Sequence, residues 1–146
     1  MDKLLVLMLM IALHMFADYH LQGILASMKQ SDWWNKQIEN YGSSIYKNDH
    51  KVSLATHSFE WAFVMMLPLF YEVYHWCWNF DYYSLLAGGT YIGLLILNTI
   101  IHYKVDDAKA NRKTISLAKD QSIHLVQVFF TWLIFVAVTW NLFMFY

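Results

Sequence analysis

The chain predicts an all-α, membrane-embedded four-helix bundle, and three observations carry that prediction. First, of its 146 residues 58% are hydrophobic, 18% aromatic and only 14% charged, against roughly 25% charged in an average soluble domain. Second, the apolar residues gather into four stretches, about 4–25, 54–78, 83–103 and 123–146, each close to the ~20 residues a helix needs to cross ~30 Å of hydrocarbon. Third, polar residues within these stretches recur four apart, the separation that stacks side chains on one face of a helix. Backbone groups in lipid must be satisfied within their own segment, so the stretches are read as helices of a single domain spanning 1–146.

The first stretch, "LLVLMLMIAL", runs into "HMFADYHLQ" and places His14, Asp18 and Gln22 on one stripe. It lacks a small-residue cleavage motif and is expected to remain in the mature protein. The second carries His57 near its start, Glu60 one turn on, and a tolerable Pro68. The third contains Gly88 and Gly89 and ends in Asn98 and "HYKVD", where His102 and Asp106 repeat the separation of four. The fourth opens on "DQSIH", with Asp120 and His124 in the reverse order. The segment "LAGGTYIG" offers small residues that permit close helix contact, within the chain or with a second copy in a homodimer.

Orientation follows from the basic residues. Of the ten Lys and Arg, Lys29, Lys36, Lys47 and Lys51 lie between the first two stretches; Lys104, Lys109, Arg112, Lys113 and Lys119 lie between the last two; Lys3 is the other. The positive-inside tendency then puts both long connections in the cytoplasm, with both termini and the turn "NFDYY" outside. In the first connection, "SDWWNKQIEN" predicts a short interfacial helix capped by Ser31 or Asp32, with Trp33 and Trp34 in the aromatic belt.

Some functions are excluded at this point. Net charge is −1 and the cations do not line a helix face between aromatics, so nucleic acid is not an expected partner. The lone Cys77 permits no internal disulfide and reads as a structural thiol between Trp76 and Trp78. No serine stands in a nucleophile-elbow motif.

The polar groups on the four helices all lie toward the ends that abut the basic connections. Each ionisable group inside a membrane segment costs on the order of 2.5–3.5 kcal/mol on insertion scales, so such groups face the bundle interior and serve a purpose. Two purposes fit. His14, Asp18, His57, His102, Asp106, Asp120 and His124 form a candidate ligand set for a divalent metal: imidazole with carboxylate suits zinc, manganese or iron(II) rather than copper. Alternatively the same pairs are a hydrogen-bonded network that holds the helices together. Glu60 and Asn98 are ligands, groups that orient ligands, or neither; His20, His50 and His75 read as interfacial or core residues. Asp106 shares the face of His102, whereas Asp107 points about a quarter turn away.

These motifs resemble a family of small bacterial and phage membrane proteins, domain-of-unknown-function 3307. Its pattern is met here by His14, Asp18 and Gln22; His57; His102, Asp106 and Lys109; and Asp120, Gln121 and His124. The resemblance covers most of the chain. That family is similar, more distantly, to YdjM-like inner-membrane proteins described as metal-dependent hydrolases, which implies a multi-pass protein of the bacterial inner membrane with a metal-dependent hydrolytic activity.

A metal with an open coordination position activates water and polarises a carbonyl or phosphoryl oxygen, which suffices for hydrolysis without a nucleophilic side chain. In this scheme Asp120 or Glu60 serves as general base, Lys109 neutralises a phosphate, and Gln22 and Gln121 position substrate or water. Seven candidate ligands leave room for two ions. A site at the cytoplasmic end of the bundle faces the inner leaflet, which points to an amphiphilic ester or phosphoester and makes membrane lipid the expected partner. Two further classes remain open: a non-catalytic interaction protein locked by its His and Asp pairs, and a metal-ion carrier or sensor. The outer halves of the helices, apolar apart from Glu72 and Asn141, offer a poor path for the last.

Overall fold

The computed structural model describes residues 2–42, 44–76 and 82–143 and is all-α among them. Helix α1 spans Lys3–Phe16 and continues as a wide π-helical turn, Ala17–Leu21; α2 (Leu25–Met28) and α3 (Ser31–Tyr41) follow, then a 3₁₀ turn, Ser44–Asn48. Helices α4 (Asp49–Met65), α5 (Leu67–Trp76), α6 (Tyr82–Ala110) and α7 (Leu117–Phe143) complete the chain. Three helical stretches, Lys3–Leu21, Leu85–Ala110 and Leu117–Thr139, are long and apolar enough to cross a membrane. Cys77 and most of "NFDYY" lie outside the described residues, as does the side chain of Asn141.

The long helices depart from their predicted limits for one physical reason. Helix α6 runs to Ala110 rather than ending near 103, and α7 begins at Leu117 rather than 123. The apolar stretches stop where charge begins, but Lys, Ala and the inward-facing Asp106 and Asp120 are compatible with helix, and the backbone continues through them. The second stretch begins earlier than predicted, at Asp49, and breaks at Met66, which leaves α4 with φ −90° and ψ 3°. Pro68 lacks the N–H that would bond back to Val64, and its ring crowds that carbonyl.

Asp2 caps α1, its carboxylate accepting from the N–H groups of Leu4 and Leu5 at 2.9 and 3.1 Å. The predicted cap of α3 is not made by Ser31 or Asp32: the helix begins at Ser31, whose N–H donates to Asn111 Oδ1 at 2.7 Å. Asn111 also donates to the Lys29 carbonyl at 3.2 Å, and Lys113 pairs with Asp32 at 2.7 Å. The two basic connections are thereby tied to each other, and the α2–α3 segment is held against the end of α6. Gly42 closes α3 at φ +69°, a left-handed position that glycine adopts without strain.

The core includes Trp61, Met10, Met65, Met66, Ala87 and Val128, all fully buried, and the Trp61 ring faces His14, His102 and His124. Around it the outward faces remain apolar, with Met8, Phe63, Ile92, Ile96 and Phe130 exposed. Among the described residues the small-residue segment makes no tight contact: a Cβ added at Gly88, Gly89 or Gly93 meets nothing within 4 Å.

Candidate metal centre

Four helical segments deliver ionisable side chains to one end of the molecule: Asp18 from the π-helical turn, His57 from α4, His102 and Asp106 from α6, and Asp120 and His124 from α7. Their side chains cannot turn to solvent, being only 0–4% exposed. Helical spacing accounts for the pairs, since residues four apart on α6 and α7 share the inward stripe. The wide turn at Asp18 is a single-turn widening of the kind that often marks functional positions. Gly23, at φ +43°, then turns the chain away from α1.

The contacts are convergent and longer than ordinary hydrogen bonds. His57 Nε2 stands 3.5 Å from Asp18 Oδ1 and 3.5 Å from Asp106 Oδ2. His102 Nε2 lies 3.3 Å from His57 Nε2, 3.7 Å from Asp106 Oδ1 and 3.9 Å from Asp18 Oδ1. His124 Nε2 is 3.3 Å from Asp106 Oδ1 and 3.5 Å from Asp120 Oδ1. Two ligand atoms each about 2.1 Å from a tetrahedral ion stand about 3.4 Å from one another, so this is the spacing of atoms arranged around a shared cation. Two buried triads could hold an ion, Asp18–His57–His102 and His102–Asp106–His124, with His102 common to both.

Charge bookkeeping leads the same way. Lys29 Nζ meets Asp106 Oδ2 at 2.6 Å and Lys109 Nζ meets Asp120 Oδ2 at 2.6 Å. With neutral imidazoles, the three carboxylates of Asp18, Asp106 and Asp120 against these two ammonium groups leave one negative charge in a buried site. Such a charge is expensive to leave uncompensated. Either a proton on one imidazole or a cation at the centre supplies the missing positive charge.

The remaining sequence-predicted residues fall into place unevenly. His14 is fully buried beside the cluster but belongs to neither triad, its Nδ1 accepting from the Trp61 indole N–H at 2.9 Å. Gln121 donates to Asp18 Oδ2 at 2.8 Å and to Asp120 Oδ2 at 3.2 Å, so it braces two carboxylates. Gln22 turns back on its own helix and donates to the Asp18 carbonyl. Glu60 is half-buried and outside both triads. Asp106 faces inward, whereas Asp107 is partly exposed and pairs with Arg112 at 3.0 Å. His20 and His75 are exposed and His50 is half-buried.

Four residues of this region escaped the sequence reading. Trp61 is four residues after His57, and Gln127 and Thr131 continue the stripe of His124, so helical spacing held the signal. Gln127 Oε1 lies 3.5 Å from His124 Nδ1, the kind of contact that fixes a ligand imidazole. Lys29 gave no such signal: it reads as one more cation of a basic connection, yet it is 5% exposed.

Set against protein families, curated proteins and solved structures, the chain matches none.

Proposed function

We propose that the protein is a membrane-embedded, metal-dependent hydrolase of the bacterial inner membrane, acting on an amphiphilic ester or phosphoester at the cytoplasmic face. In this reading α4 and α5 together form a kinked fourth crossing. The observation that carries the proposal is the set of imidazole and carboxylate atoms spaced 3.3–3.9 Å apart around a buried centre, with Asp106 contacting three histidines from three helices.

Asp18, His57, His102, Asp106 and His124 would hold a divalent ion, zinc, manganese or iron(II) by donor type. When bound, that ion supplies Lewis acidity and a hydroxide source at neutral pH. The chain's own residues do the rest. Asp120, with Oδ2 on Lys109 and Oδ1 3.5 Å from His124 Nε2, stands at the edge of the ligand set and would serve as general base. Lys109, partly exposed at the edge of the site, is placed to meet a phosphate. Gln121 and Gln127 keep Asp18 and His124 oriented.

Burial favours a second reading. Because the cluster residues are almost wholly enclosed, they also suit a structural lock, closed either by a metal or by a proton shared among the imidazoles, in a protein whose activity lies with its partners.

Elemental analysis of the detergent-purified protein separates these, alongside His102→Ala and an assay on phospholipid and acyl-ester mixed micelles. The hydrolase reading expects stoichiometric metal, lost in a variant that keeps its helical circular dichroism, together with metal-dependent product release. Bound metal without turnover of any such substrate supports the lock. No metal, even after reloading, sinks the metal reading altogether.

A further inference from the structure

The two carboxylate oxygens of Asp106 meet different neighbours. Oδ1 faces His124 Nε2 at 3.3 Å and His102 Nε2 at 3.7 Å, whereas Oδ2 carries the Lys29 ammonium at 2.6 Å and stands 3.5 Å from His57 Nε2. His57 belongs to the triad with Asp18 and His102, whose facing atoms lie 3.3–3.9 Å apart. Three ligand atoms leave a divalent ion room for at least one more. Asp106 Oδ2 stands at the triad's own separation from His57, and it is the oxygen that Lys29 holds.

Charge decides what happens when an ion arrives. With neutral imidazoles, a divalent ion beside both buried ammonium groups sets four positive charges against the three carboxylates of Asp18, Asp106 and Asp120. With one ammonium gone the two sides are equal, and like charges at short range in a buried site repel strongly. Lys29 is the one to yield. It sits on a triad carboxylate, whereas Lys109 pairs with Asp120, outside both triads, and its side chain is 29% exposed to screening solvent. The chain on either side of Lys29 is anchored elsewhere: its carbonyl accepts from Asn111 at 3.2 Å, the Ser31 N–H donates to Asn111 Oδ1 at 2.7 Å, the Trp34 indole donates to the Met28 carbonyl at 2.6 Å, and Asp32 meets Lys113 at 2.7 Å. Among the described residues, Lys29 alone ties residues 25–32 to the cluster by a hydrogen bond or ion pair. Its ammonium, on a flexible four-carbon stem, can therefore leave Asp106 while every backbone anchor stays in place.

We propose that Lys29 is an internal cation that competes with the divalent ion for Asp106 Oδ2: it neutralises that oxygen in the metal-free protein and withdraws from it when the ion binds. The inference rests on the metal reading of the site. Part of the free energy of ion binding then goes into displacing Lys29, so the site binds more weakly than its ligands alone would allow. The rival arrangement keeps Lys29 on Asp106 beside the bound ion, as an outer partner that orients the ligand. The two arrangements predict opposite effects of removing the ammonium.

Zinc titration of the detergent-purified wild-type protein and Lys29→Met, in metal-buffered solution, reads the sign. Competition expects zinc to bind Lys29→Met about tenfold more tightly than wild type, and binding by Lys29→Met alone is the same result in its extreme form. Labelling of the wild-type protein with an amine-reactive ester, read by mass spectrometry against the exposed Lys36, follows the displacement itself. Lys29 should be protected in metal-free protein and should become reactive once zinc is bound. This second measurement needs no variant and decides alone if Lys29→Met does not fold. Weaker zinc binding by Lys29→Met, or a Lys29 that stays protected in zinc-loaded protein, overturns the proposal and leaves the metal reading intact. If neither protein binds zinc, manganese or iron(II), the metal reading fails and the competition falls with it.

Discussion

One to two helical turns deeper than the ionic cluster, Asn98, Gln127 and Thr131 form a second buried polar group, and its bonds are short and directed. Gln127 Nε2 donates to the Asn98 carbonyl and side-chain oxygens at 2.9 and 2.8 Å, and Thr131 Oγ1 donates to Asn98 Oδ1 at 3.0 Å. Asn98 in turn donates to the Leu94 carbonyl at 2.8 Å. The ionic cluster shows the opposite habit: contacts of 3.3–3.9 Å among atoms that face a common centre, and a His102 Nδ1 without a hydrogen-bond partner among the described residues. A network whose task is to join helices closes on itself, as the deeper one does. The outer cluster does not close in this way, and its two buried triads could hold an ion.

The comparison breaks most readily at Lys29. Its ammonium balances Asp106 in a pair whose side chains are 7% and 1% exposed. In Lys29→Met, metal-free protein should lose about 3–5 kcal/mol, the cost of stranding one member of a buried ion pair. Zinc at saturating concentration should return much of that loss, because a second cation then faces the same carboxylate. Unfolding by denaturing detergent, with and without zinc, measures both effects. Equal destabilisation in the two states would mean that no cation binds among these ligands, and the contrast between the layers would lose its meaning.

The burial of Lys29 against Asp106 is instructive, because the sequence could not show it. Pairs such as His102 with Asp106 and Asp120 with His124 were legible since both members lie on one helix, where a separation of four places them on one face. Their convergence was legible as well, because each pair sits at a helix end next to a basic connection. The partner of Asp106 on α6 comes instead from the first connection, through the α2–α3 segment tied down by Asn111. No periodicity relates residues so far apart in the chain. The break at Met66 and the extension of α6 and α7 past the first charges were hidden for a related reason: hydropathy reports where lipid ends, not where a helix ends.

The deeper network should respond in the complementary way. Replacing Asn98 by Ala removes the acceptor shared by Gln127 and Thr131. Interhelical hydrogen bonds in membranes average ~0.6 kcal/mol, so two of them with their stranded donors amount to about 1–2 kcal/mol. Metal content should remain that of the wild-type protein, since none of these atoms belongs to either triad. Loss of metal in Asn98→Ala would join the two layers into one functional unit, coupled through the contact between Gln127 and His124.

The smallest effect belongs to Asp32 and Lys113, an ion pair with nearly the geometry of Lys29 and Asp106 but a different setting. Its nitrogen–oxygen distance is 2.7 Å against 2.6 Å, yet the Asp32 and Lys113 side chains are 58% and 67% exposed. The Lys113 ammonium holds the Asp32 carboxyl below its ordinary value, so the folded state binds this proton less readily than the unfolded chain does. The pair's contribution is therefore present above an unfolded carboxyl value near ~3.9 and fades as pH falls through the lower folded value. Water and salt screen it at every pH. Asp32→Asn should lower the unfolding midpoint slightly at pH 6 and by less at pH 2, with the pH 6 difference shrinking further in 0.5 M salt. A large, salt-insensitive loss would show that the tie between the two connections, and not burial around the cluster, holds the α2–α3 segment and Lys29 in place.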